Sequence, residues 1–187
     1  MMDSSAAPWI EAGYRVFATS GPQALRVEQL AREVGISKSS FYHHFADVPS
    51  FIEALLHYHV ERGKVEANKA RGCRSFEPEF IHLLVEIRMD LQFNWQLRLH
   101  REELAYQLCY QRAHSVVEQE VMGIWAEALG IPGQTQLARN IFTVVTDLFY
   151  QRFPKEQLTY EWCVAFLAEV RGFMADVVRS SGVRENL

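Results

Sequence analysis

Several features are scarce in this chain of 187 residues, and each scarcity excludes something. There are three cysteines, Cys73, Cys109 and Cys163, an odd number with no Cys-x-x-Cys spacing. That fits a reduced interior better than a disulfide-stapled secreted fold. No apolar run approaches the roughly 18 residues of a membrane span. The opening Met-Met-Asp-Ser-Ser-Ala-Ala-Pro lacks the basic and apolar regions of a signal peptide. The chain is therefore expected to be soluble and cytoplasmic, with no membrane partner. Strand-like alternation, internal repeats and low-complexity tracts are also missing, which leaves an all-α fold.

Motifs for catalysis are equally thin. There is no Gly-x-Ser-x-Gly, no phosphate loop and no glycine-rich dinucleotide turn. His57-x-His59 places two rings on different faces of a helix, because only i+3 or i+4 partners meet. His100-Arg-Glu-Glu103 lacks the second histidine of a His-Glu-x-x-His zinc site. Both histidine groups read as solvated surface, and Cys109 is not a nucleophile signal by itself. We expect no catalytic residue, no metal and no cofactor, hence no enzyme.

Positive charge is the last scarcity. The net charge is −4, and the first sixty residues hold Arg15, Arg26, Arg32 and Lys38 against Asp3, Glu11, Glu28, Glu33, Asp47 and Glu53. Phosphate neutralisation supplies nearly all non-specific DNA affinity, so this segment should coat DNA poorly.

What is present is helical periodicity, with 49% hydrophobic residues, enough for one or two ordinary cores. Helix one is expected from Pro8 to about Thr19, packing through Ile10, Gly13, Tyr14 and Phe17. Val27, Leu30, Ala31 and Val34 form the i, i+3, i+4, i+7 stripe of a second helix. Gly35 ends it in a left-handed turn. Ser37 is placed to cap a third helix through Tyr42. Asp47 can cap a fourth, with Phe51, Leu55, Leu56 and Tyr58 as its apolar stripe, continuing to about Arg71. Further helices are expected over Pro78 to Leu91, Gln92 to His100 (continuous with the previous one or separate), Glu102 to Leu129, Gln134 to Phe153, and from a Thr159 cap to about Arg179. A frayed end follows at Ser181–Leu187.

Two short helices crossing at a glycine turn make a helix-turn-helix, whose second helix enters the DNA major groove. The run Leu30-Ala31, Gly35-Ile36-Ser37-Lys38-Ser39-Ser40-Phe41-Tyr42 and His44-Phe45 resembles the signature of the TetR family of bacterial transcriptional regulators. The resemblance covers residues 9 to about 62 specifically, and the remainder only by length and helical character. It implies a head over residues 1–62, made of three helices with the helix-turn-helix, and a helical ligand-binding and dimerisation domain over 63–187.

The DNA-binding set then comprises Arg26, Val27, Ser37, Lys38, Ser39, Ser40, Tyr42, His43 and His44. Lys38 and Tyr42 would reach phosphates, as would backbone amides at the starts of the second and fourth helices. Ser39 and Ser40 are small enough for close approach to base edges. His43 could meet a base or a phosphate. His44 and Phe45 would chiefly hold helix four against helix three, with Phe41 in the core. Two positions depart from the family pattern. Arg26 stands where a capping threonine is usual, and Val48 where a basic residue is common.

For the second domain the resemblance implies a pocket for an unknown small-molecule effector. Candidate walls are Phe93, Trp95, Tyr106, Tyr110, Trp125 and Phe149, with Arg88, Asn94, His100 and Gln107 as inward polar groups. Aromatic residues at this spacing also serve as plain core. The last two helices carry wide apolar stripes, with Leu137, Ile141, Val144, Val145, Leu148 and Phe149 on one. The other holds Trp162, Ala165, Phe166, Val170, Phe173 and Val177. Ile141, Val145, Leu148, Trp162, Phe166, Val170 and Phe173 are the expected homodimer contacts.

The resulting expectation is a ligand-responsive homodimeric regulator on a palindromic double-stranded DNA operator, acting as a repressor that a small molecule releases. Two alternatives remain at this point. One is an α-helical enzyme or small-molecule-binding protein, and the other a regulator acting mainly through protein partners.

Overall fold

A computed structural model describes residues 5–155 and 157–182, with side chains to residue 176. Helices fill most of it, and there is no strand among the described residues. In chain order they are α1 (Ala7–Ser20), α2 (Val27–Val34), α3 (Lys38–His44), α4 (Val48–Arg71) and α5 (Ile81–Glu86). α6 (Arg88–Leu99), α7 (Leu104–Ala128), α8 (Thr135–Arg152) and α9 (Tyr160–Gly182) complete the set. The all-α class follows the expectation. The fraying expected at the end falls on residues that, from 183 onward, lie outside the described ones, as does the side chain of Val177.

Local chemistry explains most of the boundaries. Pro8 sits in the first turn of α1, where its missing N–H costs nothing. Asp47 caps α4: its Oδ1 accepts from the Ser50 amide at 2.8 Å, while the Asp47 amide donates back to the Ser50 hydroxyl at 3.1 Å. Thr159 caps α9 by accepting from the Trp162 amide at 3.2 Å. Ser37 occupies the cap position of α3 but makes no cap bond. Its hydroxyl pairs instead with that of Ser39 at 2.8 Å.

Two boundaries in one stretch differ from the expectation: a single π turn over Phe76–Phe80 precedes α5, which starts at Ile81 and not at Pro78. The helix expected from Pro78 to Leu91 breaks at Ile87 (φ −88°, ψ 21°), not near Gln92. Neither glycine nor proline marks the spot. It coincides with the division between the two compact units of the chain, Met1–Ala67 with Ile87–Val117 and Asn68–Glu86 with Glu118–Leu187. The expected partition at residue 62 follows motif content, whereas these units follow compactness. α4 and α7 each contribute to both.

In the first unit, α1 packs chiefly on α6 and on α2. Trp9, Ile10, Phe17, Leu30, Phe41, Phe51, Leu55, Phe93 and Leu97 form its core. Below the aromatic layer lies a polar cluster. The Tyr14 hydroxyl donates to Asp90 Oδ1 at 2.7 Å and lies 2.6 Å from His59 Nδ1. Arg62 clamps Asp90 with two bonds, from Nε to Oδ1 and from Nη2 to Oδ2, the second 2.6 Å long. His59 Nε2 lies 3.0 Å from Asn94 Oδ1.

His59 therefore corrects the surface reading of His57-x-His59. His57 is exposed, but His59 is fully buried and stacked on Phe93 at 4.4 Å. Its position continues the stripe Phe51, Leu55 at steps of four, so it turns inward with them. Burial drives its pKa down to about 4, outweighing the Asn94 bond and the Asp90 charge. Burial also pulls the Asp90 carboxyl upward, but the bonds from Arg62 and Tyr14 prevail and hold it below its ordinary value.

In the second unit, Trp125 is fully buried and its Nε1 donates to the Ala138 carbonyl at 3.0 Å, tying α7 to α8. Phe149 stands edge-on to Trp162 (5.5 Å) and Phe166 (5.8 Å), joining α8 to α9. Arg171 donates to the Ala128 carbonyl at 2.8 Å and to Glu77 at 3.0 Å.

Candidate nucleic-acid interface

The turn between α2 and α3 is built on Gly35, with φ +69° and ψ 23°. The Ile36 amide reaches back to the Ala31 carbonyl at 3.2 Å. That six-to-one bond closes the last turn of α2 and requires the left-handed residue before it. Ile36 then packs against the core, and Ser37, in extended backbone, starts α3.

α3 is held from one side only. Phe41 is fully buried, edge-on to Trp9 at 5.3 Å and to Phe51 at 5.2 Å. Phe45 packs on Phe51 at 4.7 Å and fixes the start of α4, as the sequence suggests. The opposite side leaves Lys38, Ser39, Tyr42 and His43 exposed, with Ser40 and His44 half-buried. Ser37, Ser39, Ser40, Tyr42 and His43 line a shallow open depression there. Arg26 is exposed at the start of α2 and offers no side-chain cap. Val27 is buried in the core, so its backbone amide is the group it has for a DNA contact.

Carboxylates hold two of the cations of this segment. Lys38 Nζ lies 3.0 Å from Glu28 Oε1, and Arg15 Nη2 lies 2.8 Å from Glu33 Oε1. The Lys38 bond, with the charges of Lys38 and Arg26, holds the exposed Glu28 carboxyl below its ordinary pKa. Nothing in the spacing of Glu28 and Lys38, ten residues apart across a turn, announces this pair.

The residues expected around an effector are divided between the two units. Phe93 lies inside the core of the first unit, stacked between Tyr14 (4.4 Å) and Phe17 (4.1 Å), and Asn94 belongs to the His59 cluster. Tyr106 stands edge-on to Phe17, and His100 is half-buried beside it. Tyr110 accepts from Arg98 at 3.0 Å and stacks on His114. Trp95 is half-buried, while Arg88 and Gln107 are exposed. Trp125 and Phe149 belong to the second unit and pack there as described.

Of the expected dimer contacts, Phe166 and Val170 are buried within the protomer itself. Ile141, Val145, Leu148 and Trp162 are half-buried. Phe173 is exposed by about two thirds, as is Val144, which with the exposed Leu137 lies on the α8 stripe outside that set.

No group of three or more His, Cys, Asp or Glu side chains suited to a metal occurs among the described residues. Burial pushes the Cys109 thiol up to about 12 and Cys163 to about 11, so both stay protonated near neutrality. No described helix is long and apolar enough to cross a membrane.

Comparison with known proteins agrees with this geometry. Residues 10–55 match the family model described as bacterial regulatory proteins, tetR family. No curated protein matches the chain. Among solved structures, a candidate TetR-family transcriptional regulator from Rhodococcus sp. is similar over 94% of this chain and 99% of its own. Its TM-score is 0.60 and its identity 20%. A transcriptional regulator (TerR/AcrR family) from Aquifex aeolicus is similar over 93% and 99%, with TM-score 0.63 and 13% identity. At such identities the likeness establishes the fold, while the family model covers the segment that builds the exposed face of α3. Residues 10–55 thus carry the head of the tetR family of bacterial regulatory proteins, a DNA-binding domain of a transcriptional regulator, and the rest of the chain shares the fold of the two solved structures.

Proposed function

We propose that the protein is a homodimeric, ligand-responsive regulator that represses transcription from a palindromic operator and is released by a small molecule. The observation that carries the DNA part is the one-sided docking of α3. Phe41 locks its inner face, and Lys38, Ser39, Tyr42 and His43 stand free of the core on the other. A rigidly seated helix with small and polar outer residues fits the major groove. In this reading residues 1–62 are the DNA-binding head and 63–187 the effector and dimerisation domain of a cytoplasmic protein. The dimer is supported by the exposed apolar residues Leu137 and Val144 on α8 and Phe173 on α9. An effector acts only if it binds one head spacing better than the other.

Selection of bound duplexes from random DNA with the full chain tests this. Enrichment of a two-fold palindrome, with half-sites about one helical turn apart or somewhat more, is expected. Recovery of no enriched sequence overturns the operator reading.

A further inference from the structure

The head carries few cations, and the structure pairs the one on its recognition helix. Lys38 Nζ and Glu28 Oε1 are 3.0 Å apart, with side chains 54% and 65% exposed. Such a pair is weak and open to water, so a phosphate can compete for the lysine. After exchange, however, the Glu28 carboxylate is left beside the DNA backbone, which carries one negative charge per roughly 1.7 Å of axis. Glu28 lies in the first turn of α2, across the turn from the exposed face of α3, so the displaced charge stays at the interface.

We propose that Glu28 is a specificity-setting residue: it neutralises Lys38 in the free head and so suppresses binding to random DNA. The inference rests on the DNA-binding reading of the head. Non-specific binding is nearly all phosphate neutralisation. Damping one anchor therefore removes a larger share of it than of an operator complex, which also uses base-edge contacts. Lys38 is then an anchor held in reserve, engaged when the rest of the interface fits. The acidity of the head is, on this reading, aimed at a particular side chain.

The test is a double-mutant cycle with full-length protein on a random-sequence duplex, read by fluorescence anisotropy over roughly 50 to 200 mM salt. Glu28→Gln is expected to raise low-salt affinity and to steepen the slope of log K against log salt by about 0.9, the value for one phosphate contact. Glu11→Gln removes the same charge from the exposed side of α1 and serves as the charge control. In a Lys38→Ala background the gain from Glu28→Gln should fall to that of the control. Glu28→Ala, with a strong helix former, is measured alongside, and thermal melts confirm that each variant is folded. A Glu28→Gln gain that survives Lys38→Ala, or never exceeds Glu11→Gln, overturns the proposal while the DNA reading stands. If wild type and all variants fail to bind duplex at low salt, both fall together.

Discussion

At the scale of the residue, the buried cluster on Tyr14, His59, Arg62, Asp90 and Asn94 obeys a proton count. The single Tyr14 hydroxyl proton goes to Asp90, so His59 Nδ1 must carry the hydrogen that faces the tyrosine oxygen. Asn94 can serve either state of the ring. Its Oδ1 accepts from an imidazolium, and the amide turned over offers an N–H to the neutral ring. The ordinary histidine pKa of 6.5 falls to about 4 here. The native state thus binds fewer protons than the unfolded chain between those two values. Its stability is full above about pH 6.5 and falls as the pH drops toward 4, by about 3 kcal/mol from this one ring. Urea midpoints measured across that window should show the loss, and His59→Gln, which cannot titrate, should flatten it. An equal slope in wild type and variant would remove His59 from the acid response. That His59 faces inward was legible from its register with Phe51 and Leu55. Its partners from α1 and α6, 45 and 35 residues away, were not.

At the scale of the element, two glycines act for opposite reasons. Gly13 lets α1 approach α4, since an added Cβ would stand 2.2 Å from Phe51 Cζ. Phe51 cannot swing aside, packed as it is by Phe41 and Phe45. Gly13→Ala should therefore destabilise by about 1–3 kcal/mol, offsetting the gain of about 1 kcal/mol expected for a helical glycine replaced by alanine. Gly35 has open space around it but a left-handed backbone. Gly35→Ala should cost about 1–2 kcal/mol, and Gly35→Asn less, because asparagine tolerates that conformation. Denaturant midpoints distinguish the cases, and a stabilised Gly13→Ala would refute the close approach. Caps and stops such as Asp47, Thr159 and Gly35 were readable because each depends on one residue and its neighbours. The break at Ile87 was not, because no local residue demands it.

At the scale of the whole molecule, Val144 and Phe173 are the residues on which a dimer depends most directly. Both are two-thirds exposed, whereas Phe149 is enclosed by Trp162 and Phe166 within the protomer. Apolar surface left uncovered this way marks an interaction face. Val144→Glu and Phe173→Glu should each give folded monomers in sedimentation and weaken operator binding. Persistence of a dimer in both would place the interface elsewhere. A charge at Phe149, by contrast, should disturb the fold of the second unit itself.

Helical periodicity and short-range chemistry were enough for the all-α class, the order of most helices, the caps at Asp47 and Thr159, the stop at Gly35 and the face that α3 presents. Those properties depend on periodicity and on residues within a turn of one another. The tertiary structure alone decided what meets across long separations. It seated Phe93 in the core, placed the His59 cluster and paired Lys38 with Glu28. Each of these rests on packing between helices far apart in the chain, or across a turn, which no local spacing encodes.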